Sequence, residues 1–163
     1  MSKIERFIGF YSEKDPQTGY LSNWYPCRFT VDGIVFSSAE QYMMFRKAVV
    51  FHDEAQKAAI LATEDPGVIK ACGRRVQHFD PVVWNGLRPF VMLDALTAKF
   101  SQNEDLKRRL LATSDALLAE CAPKDLIWGI GLNAGDPRCL DTAEWRGQNL
   151  LGFTLMTVRE KLR

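Results

Sequence analysis

The apolar positions change period once along the chain. Up to residue 36 they come as short runs, RFIGFY (residues 6–11), CRFTV (27–31) and IVF (34–36), which predict strands. Asp32-Gly33 joins the last two runs and suits a tight hairpin turn. Between the first and second lies the turn-rich stretch DPQTGYLSNWYP (15–26). From Ser37 the spacing becomes helical.

The first helix, SSAEQYMMFRKAVVF (37–51), has Ser37 and Glu40 at capping-box spacing, each side chain satisfying the other's backbone N–H. Ala39, Tyr42, Met43, Met44, Phe45, Ala48, Val50 and Phe51 cover nearly its whole circumference, so the spacing predicts a buried helix. Asp53 can cap EAQKAAILA, and Asp65-Pro66 can start a short helix that Gly73 ends. Asp80-Pro81 offers another start, and Pro89 opens FVMLDALTAKF with an apolar face through Val91, Leu93, Leu96 and Phe100. Asn103 begins EDLKRRLLAT, ALLAEC (116–121) is a possible short strand, and LLGFTLMTVREKL (150–162) is a final helix. Before it runs a loop, residues 123–149, long for a compact domain and holding Trp128 and Trp145. A loop of that length is functional or disordered, and two tryptophans argue for order. The fold class is α+β, mainly helical, with a small antiparallel sheet in a single domain spanning 1–163.

Composition narrows the function. The 163 residues, nearly half hydrophobic and a quarter charged, fit one globular domain. With a net charge of +1 there is no global field for duplex DNA or a membrane surface, so an anion must be held by a local cluster. Charges interrupt every apolar run of the N-terminal stretch, which argues against a signal peptide, and no run approaches a membrane span. Cys27, Cys72, Cys121 and Cys139 are scattered and His52 and His78 are the only histidines, which predicts a reduced, metal-free cytoplasmic protein with no cofactor.

Candidate chemistry falls to carboxylates. Gly129-Ile130-Gly131-Leu132-Asn133-Ala134 fits a dinucleotide-binding pattern, but Asp136-Pro137 follows at once and the position 20 beyond Gly129 is Asn149 rather than an acid. No Ser-His-Asp or Cys-His set suggests itself. Glu40, on the first turn of a buried helix, is either a capping residue or a carboxyl poised by desolvation for proton transfer. Lys47, seven residues on and about 20° away in azimuth, either snorkels to solvent or faces the same cleft. Asp125 is a second acidic candidate, or a turn cap. Arg46, Arg74, Arg75, Arg88 and Lys99 could hold phosphate, and Trp24, Trp84, Trp128 and Trp145 could stack on a heterocycle or pack the core.

Four segments in order then resemble the NADAR, or YbiA-like, family: residues 19–51, GRRV (73–76), ALTAKF (95–100), and KDLIWGIG with WRGQNLLGFTLMTVR within 124–159. The resemblance implies an N-glycosidase that separates ribose 5-phosphate from the amine of an early riboflavin-pathway aminopyrimidine. Other members remove ADP-ribose from guanine. It implies Glu40 as the catalytic glutamate, in Ser38-Ala39-Glu40-Gln41-Tyr42, with Trp84, Asp125 and Lys47 as further catalytic positions. Asn23, Trp128, Arg74, Gly129 and Asn149 are the expected substrate-binding residues. Three departures stand out: Gln41 where many members have histidine, Arg46 where they have glutamine, and Ile130 where some have an acid. The expected partner is a small phosphoribosyl or ADP-ribosyl substrate; modified guanine in DNA stays open, and a non-catalytic ADP-ribose-binding module is the alternative of a different class.

Overall fold

Six helices and four short strands make up the computed structural model, which describes residues 6–163. The first five residues, which open the charge-interrupted N-terminal stretch, lie outside the described residues. The chain divides into two compact units, Asn23–Asn103 and a second built from the stretch up to Ser22 together with Glu104–Arg163.

The central unit begins with strands β1, Phe29–Val31, and β2, Ile34–Phe36, paired antiparallel as expected, with Phe29 opposite Phe36. Asp32 and Gly33 both have positive φ (49° and 79°), the backbone that a two-residue hairpin turn requires. Helix α1, Ala39–Val50, follows and packs against α2 (Glu54–Leu61), α3 (Pro66–Arg74) and α4 (Pro81–Gln102). Its burial on all sides matches its apolar circumference. Phe36 stacks edge-on with Tyr42 and Phe45, at ring centroid distances of 5.0 and 5.2 Å, and so joins the hairpin to α1.

Three aspartates start their helices as predicted: Asp53, Asp65 and Asp80 each accept backbone N–H bonds of the first turn. Two helix ends differ from expectation. Gly73 does not stop α3, which runs on to Arg74; a Cβ there would overlap the Met44 sulfur, so this glycine serves the close approach of α1. Pro89 does not open a helix but lies inside the 22-residue α4. Asn85 and Gly86, one turn earlier, are exposed, so water can take the carbonyl that proline leaves without a helical donor.

The terminal unit holds a second strand pair that the apolar runs did not predict as a pair. Strand β3, Phe7–Phe10, lies parallel to β4, Leu117–Glu120, in register Phe7 with Leu117 through Phe10 with Glu120. Helix α5, Glu104–Ala112, packs on α6, Leu150–Leu162, and α6 covers β4. Buried Arg159 of α6 donates to Thr113 Oγ1 (2.8 Å) and the Ala116 carbonyl (3.0 Å), so its charge is met by the turn that leads into β4. No helix among the described residues is long and apolar enough to cross a membrane.

Candidate active site

The start of α1 tests the capping reading of Glu40. The N-cap is Ser38, whose hydroxyl accepts the Gln41 N–H at 3.1 Å. Gln41 closes the box in glutamate's usual place: its Oε1 accepts the Ser37 N–H at 2.7 Å and the Ser37 hydroxyl at 3.0 Å. Its Nε2 donates to the carbonyls of Ile60 and Thr63, at 3.1 and 2.8 Å, and so fastens the end of α2. The expected Ser37–Glu40 box is thus corrected by one residue. Gln41, which departs from the family's histidine, does the capping, and Glu40 is relieved of it.

Glu40 is only 5% exposed on that first turn, and its backbone N–H donates to the Asn23 carbonyl at 3.0 Å. Asn23, expected at the substrate, is itself 6% exposed, and its side-chain Oδ1 is buried with no hydrogen-bond partner. Such an acceptor costs about 1–3 kcal/mol of stability. Helix geometry puts Lys47 about 10 Å along α1 from Glu40. Burial pushes the Lys47 ammonium below its ordinary range while the Glu40 carboxylate pulls it back up, and its Nζ sits 4.4 Å from the Phe79 ring centroid. Lys47 therefore neither floats in solvent nor closes a contact pair with the glutamate; it lies in the carboxylate's field.

Trp84 is buried on α4, at 5% exposure. Arg74 and Arg75 are both exposed at the end of α3, and Arg75 turns back to the Cys72 sulfur at 3.2 Å. Trp24 is half-buried with Lys70 over its ring. Lys99, one of the basic residues expected to meet phosphate, is completely buried, beside the Tyr25 and Phe100 rings at 5.5 and 5.1 Å. Desolvation lowers its pKa to about 8.

In the terminal unit the long loop is ordered by its own backbone. Ile130 N–H donates to the Glu120 carbonyl (2.9 Å), Arg146 to Ile130 (2.9 Å), Gln148 to Leu126 (2.9 Å) and Asn149 to Gly129 (3.0 Å). Two 3-10 turns, Pro137–Leu140 and Thr142–Glu144, complete it. Asp125 Oδ1 accepts from the N–H groups of both Ile127 (2.9 Å) and Trp128 (2.8 Å), so one carboxylate oxygen shapes the turn that presents half-buried Trp128. Asn149 has no exposed surface and a left-handed backbone (φ 51°). Its Oδ1 accepts from the Glu120 N–H at 3.1 Å and its Nδ2 donates to the Leu118 carbonyl at 2.9 Å, extending β4 with a side-chain amide. Gly129 is buried where a Cβ would crowd the Glu120 carbonyl oxygen at 2.9 Å. Trp145 donates its indole N–H to the Cys139 carbonyl at 2.9 Å and packs on Ile130, Leu132 and Cys121. It is a partly buried tryptophan packed against that core cluster. Fully buried Ile130 belongs to the same cluster, which explains why an acid is absent there.

Two features escaped the sequence reading. Ser38 and Gln41 carry the capping spacing as plainly as Ser37 and Glu40, so the register alone hid the true cap. Nothing in the order of residues marks the Asn23 acceptor as unpaired, since that depends on which loops enclose it.

The NADAR domain model matches residues 9–163. N-glycosidase R617 of Acanthamoeba polyphaga mimivirus is 37% identical over 98% of this chain and 98% of its own length. Riboflavin biosynthesis protein VVA0006 of Vibrio vulnificus is 36% identical over 98% of this chain, which spans 40% of that larger protein. N-glycosidase YbiA of Escherichia coli is 33% identical over 97% of this chain and 89% of its length. The NMR structure of the E. coli protein YbiA superposes with a TM-score of 0.79 at 32% identity, covering 99% of this chain and 87% of that one. With a model match and full-length relatives of this kind, the chain belongs to the NADAR domain family.

Proposed function

We propose that this enzyme hydrolyses the C–N bond between ribose 5-phosphate and the amine of an early riboflavin-pathway aminopyrimidine. The carrying observation is a buried glutamate on the first turn of α1 that the helix does not need as a cap. The names of the mimiviral and E. coli relatives support hydrolysis of an N-glycosidic bond, and that of the Vibrio relative supports the riboflavin branch.

Breaking an N-glycoside builds positive charge at C1 and the ring oxygen. Glu40 faces that charge and takes a proton from water as the water oxygen bonds to C1; the C1–N bond breaks, and the proton taken by Glu40 goes to the departing amine nitrogen, directly or through solvent. Lys47, tuned by burial and by Glu40, meets the anionic phosphate or traps the opened sugar aldehyde as a Schiff base. Trp84 stacks on the base or encloses the sugar. We place the reaction in the cytoplasm, which suits four free cysteines.

The test offers the wild type and Glu40→Gln the phosphoribosylaminopyrimidine and, in parallel, ADP-ribosylated guanosine, with mass spectrometry of the products. Ribose 5-phosphate from the wild type alone is the expected result. Release of ADP-ribose would move the chain to the other substrate branch, and no release from either would leave a binding module.

A further inference from the structure

We infer that Asn23 reads the 2-hydroxyl of the substrate's ribose and makes this enzyme selective for ribosides over 2-deoxyribosides. The inference rests on the N-glycosidase reading above and goes further, to the part of the sugar that is recognised.

Asn23 Oδ1 is buried and unpartnered in a residue that is 6% exposed. A buried polar atom without a partner calls for an explanation, and a group outside the chain that completes it is one. The atom is a carbonyl-type oxygen, so what completes it is a hydrogen-bond donor. Its place narrows the donor. The backbone carbonyl of the same residue takes the N–H of Glu40 at 3.0 Å, so Asn23 and the glutamate are fastened to each other at the backbone. If Glu40 works at C1, the neighbouring donor on a ribose is the hydroxyl on C2. That hydroxyl becomes a better donor as positive charge grows at C1, so a fixed acceptor binds it more strongly in the transition state than in the ground state.

An amide suits the place for an electrostatic reason. A second carboxylate beside Glu40 would raise the proton affinity of both, whereas an amide oxygen accepts the same bond without charge. Asn23 is also held in place independently of any ligand, because its carbonyl is part of the start of α1. An acceptor fixed before substrate arrives needs no reorganisation at the moment of reaction.

The experiment compares ribose 5-phosphate with 2-deoxyribose 5-phosphate, as the sugar of the aminopyrimidine substrate and as free sugar phosphates in calorimetric titrations. The proteins are the wild type, Asn23→Leu and Asn23→Asp. The wild type is expected to favour the riboside by about 100-fold in kcat/KM, and Asn23→Leu to bring that ratio toward one. Intrinsic differences in bond lability cancel when the two proteins' ratios are compared. Asn23→Asp keeps an acceptor and is expected to retain most of the preference. Because Asn23→Leu removes an unpartnered buried acceptor, its unliganded Tm is expected to stay level or rise. A preference unchanged in Asn23→Leu overturns the inference, as does a loss of Tm and of activity on both sugars alike, which would mark a structural residue. The titrations separate the two readings. A preference for ribose 5-phosphate in binding without turnover supports the Asn23 inference while the hydrolytic reading fails, and equal or absent binding of both sugar phosphates overturns it.

Discussion

The start of α1 and the loop of residues 123–149 are both rich in polar residues, and they treat them in opposite ways. In the loop the polar groups are matched within the chain. Asp125 Oδ1 takes two N–H groups, Asn149 is bonded at both ends of its amide, and the Trp145 N–H is held by Cys139. At the start of α1 the cap is formed by Ser38 and Gln41 and Asn23 keeps a buried acceptor without a partner, while on the last turn Lys47 is desolvated in the field of a carboxylate. The loop's polarity builds a shape. Around α1 an unpartnered acceptor and a desolvated lysine remain, and under the proposed function that is where the substrate is met.

The sharpest test of this contrast is Glu40→Gln. The cap belongs to Ser38 and Gln41, so the variant is expected to melt within about 1 kcal/mol of the wild type while kcat falls at least ~10³-fold. Thermal melts and single-turnover assays read the two arms, and a destabilised protein would return Glu40 to an architectural role. Asn149→Ala should show the reverse pattern. It removes the acceptor Asn149 offers the Glu120 N–H and the donor it offers the Leu118 carbonyl, and puts a less tolerant residue at φ 51°, a loss of about 3–5 kcal/mol in denaturant unfolding.

Lys99→Met probes a buried cation in the α1 unit itself. The Lys99 pKa is lowered to about 8 from 10.5, so between those values the unfolded chain binds more protons and the lysine's contribution to stability rises with pH. Below about pH 8 the folded state carries the full penalty of the buried charge. The variant is therefore expected to gain most over the wild type at neutral pH, on the order of 2 kcal/mol, with the gap closing toward pH 10.5. A gap independent of pH would refute the titration. The smallest effect is expected for Asp125→Asn, which keeps an acceptor for Ile127 and Trp128 and should cost about 1 kcal/mol or less. Larger losses of activity than of stability there would give Asp125 a part in the chemistry.

Local signals were legible where a few neighbouring residues settle the outcome. The final helix spans Leu150–Leu162 as its apolar spacing predicts, the Asp32-Gly33 turn forms, and Asp53, Asp65 and Asp80 cap their helices. What escaped depends on distant partners. Gly73 reads as a helix stop until α1 is laid against it, and Pro89 reads as a helix start although an exposed preceding turn lets α4 pass through. The pairing of β3 with β4 is the extreme case, since no local pattern says which of several short apolar runs will lie side by side. For the site, Glu40 and Lys47 stand out as charges on an apolar helix, but the state of Asn23 is a property of its enclosure.

That parallel pair also sets an order of events. Roughly a hundred residues separate Phe10 from Leu117, and the whole of the Asn23–Asn103 unit lies between them. On the ribosome β3 emerges well before its neighbour. The helical unit around Glu40 can therefore gather its core while β3 is still an unpaired edge. Emergence of β4, rather than the folding of any one helix, is then the moment from which the terminal unit can close its parallel ladder.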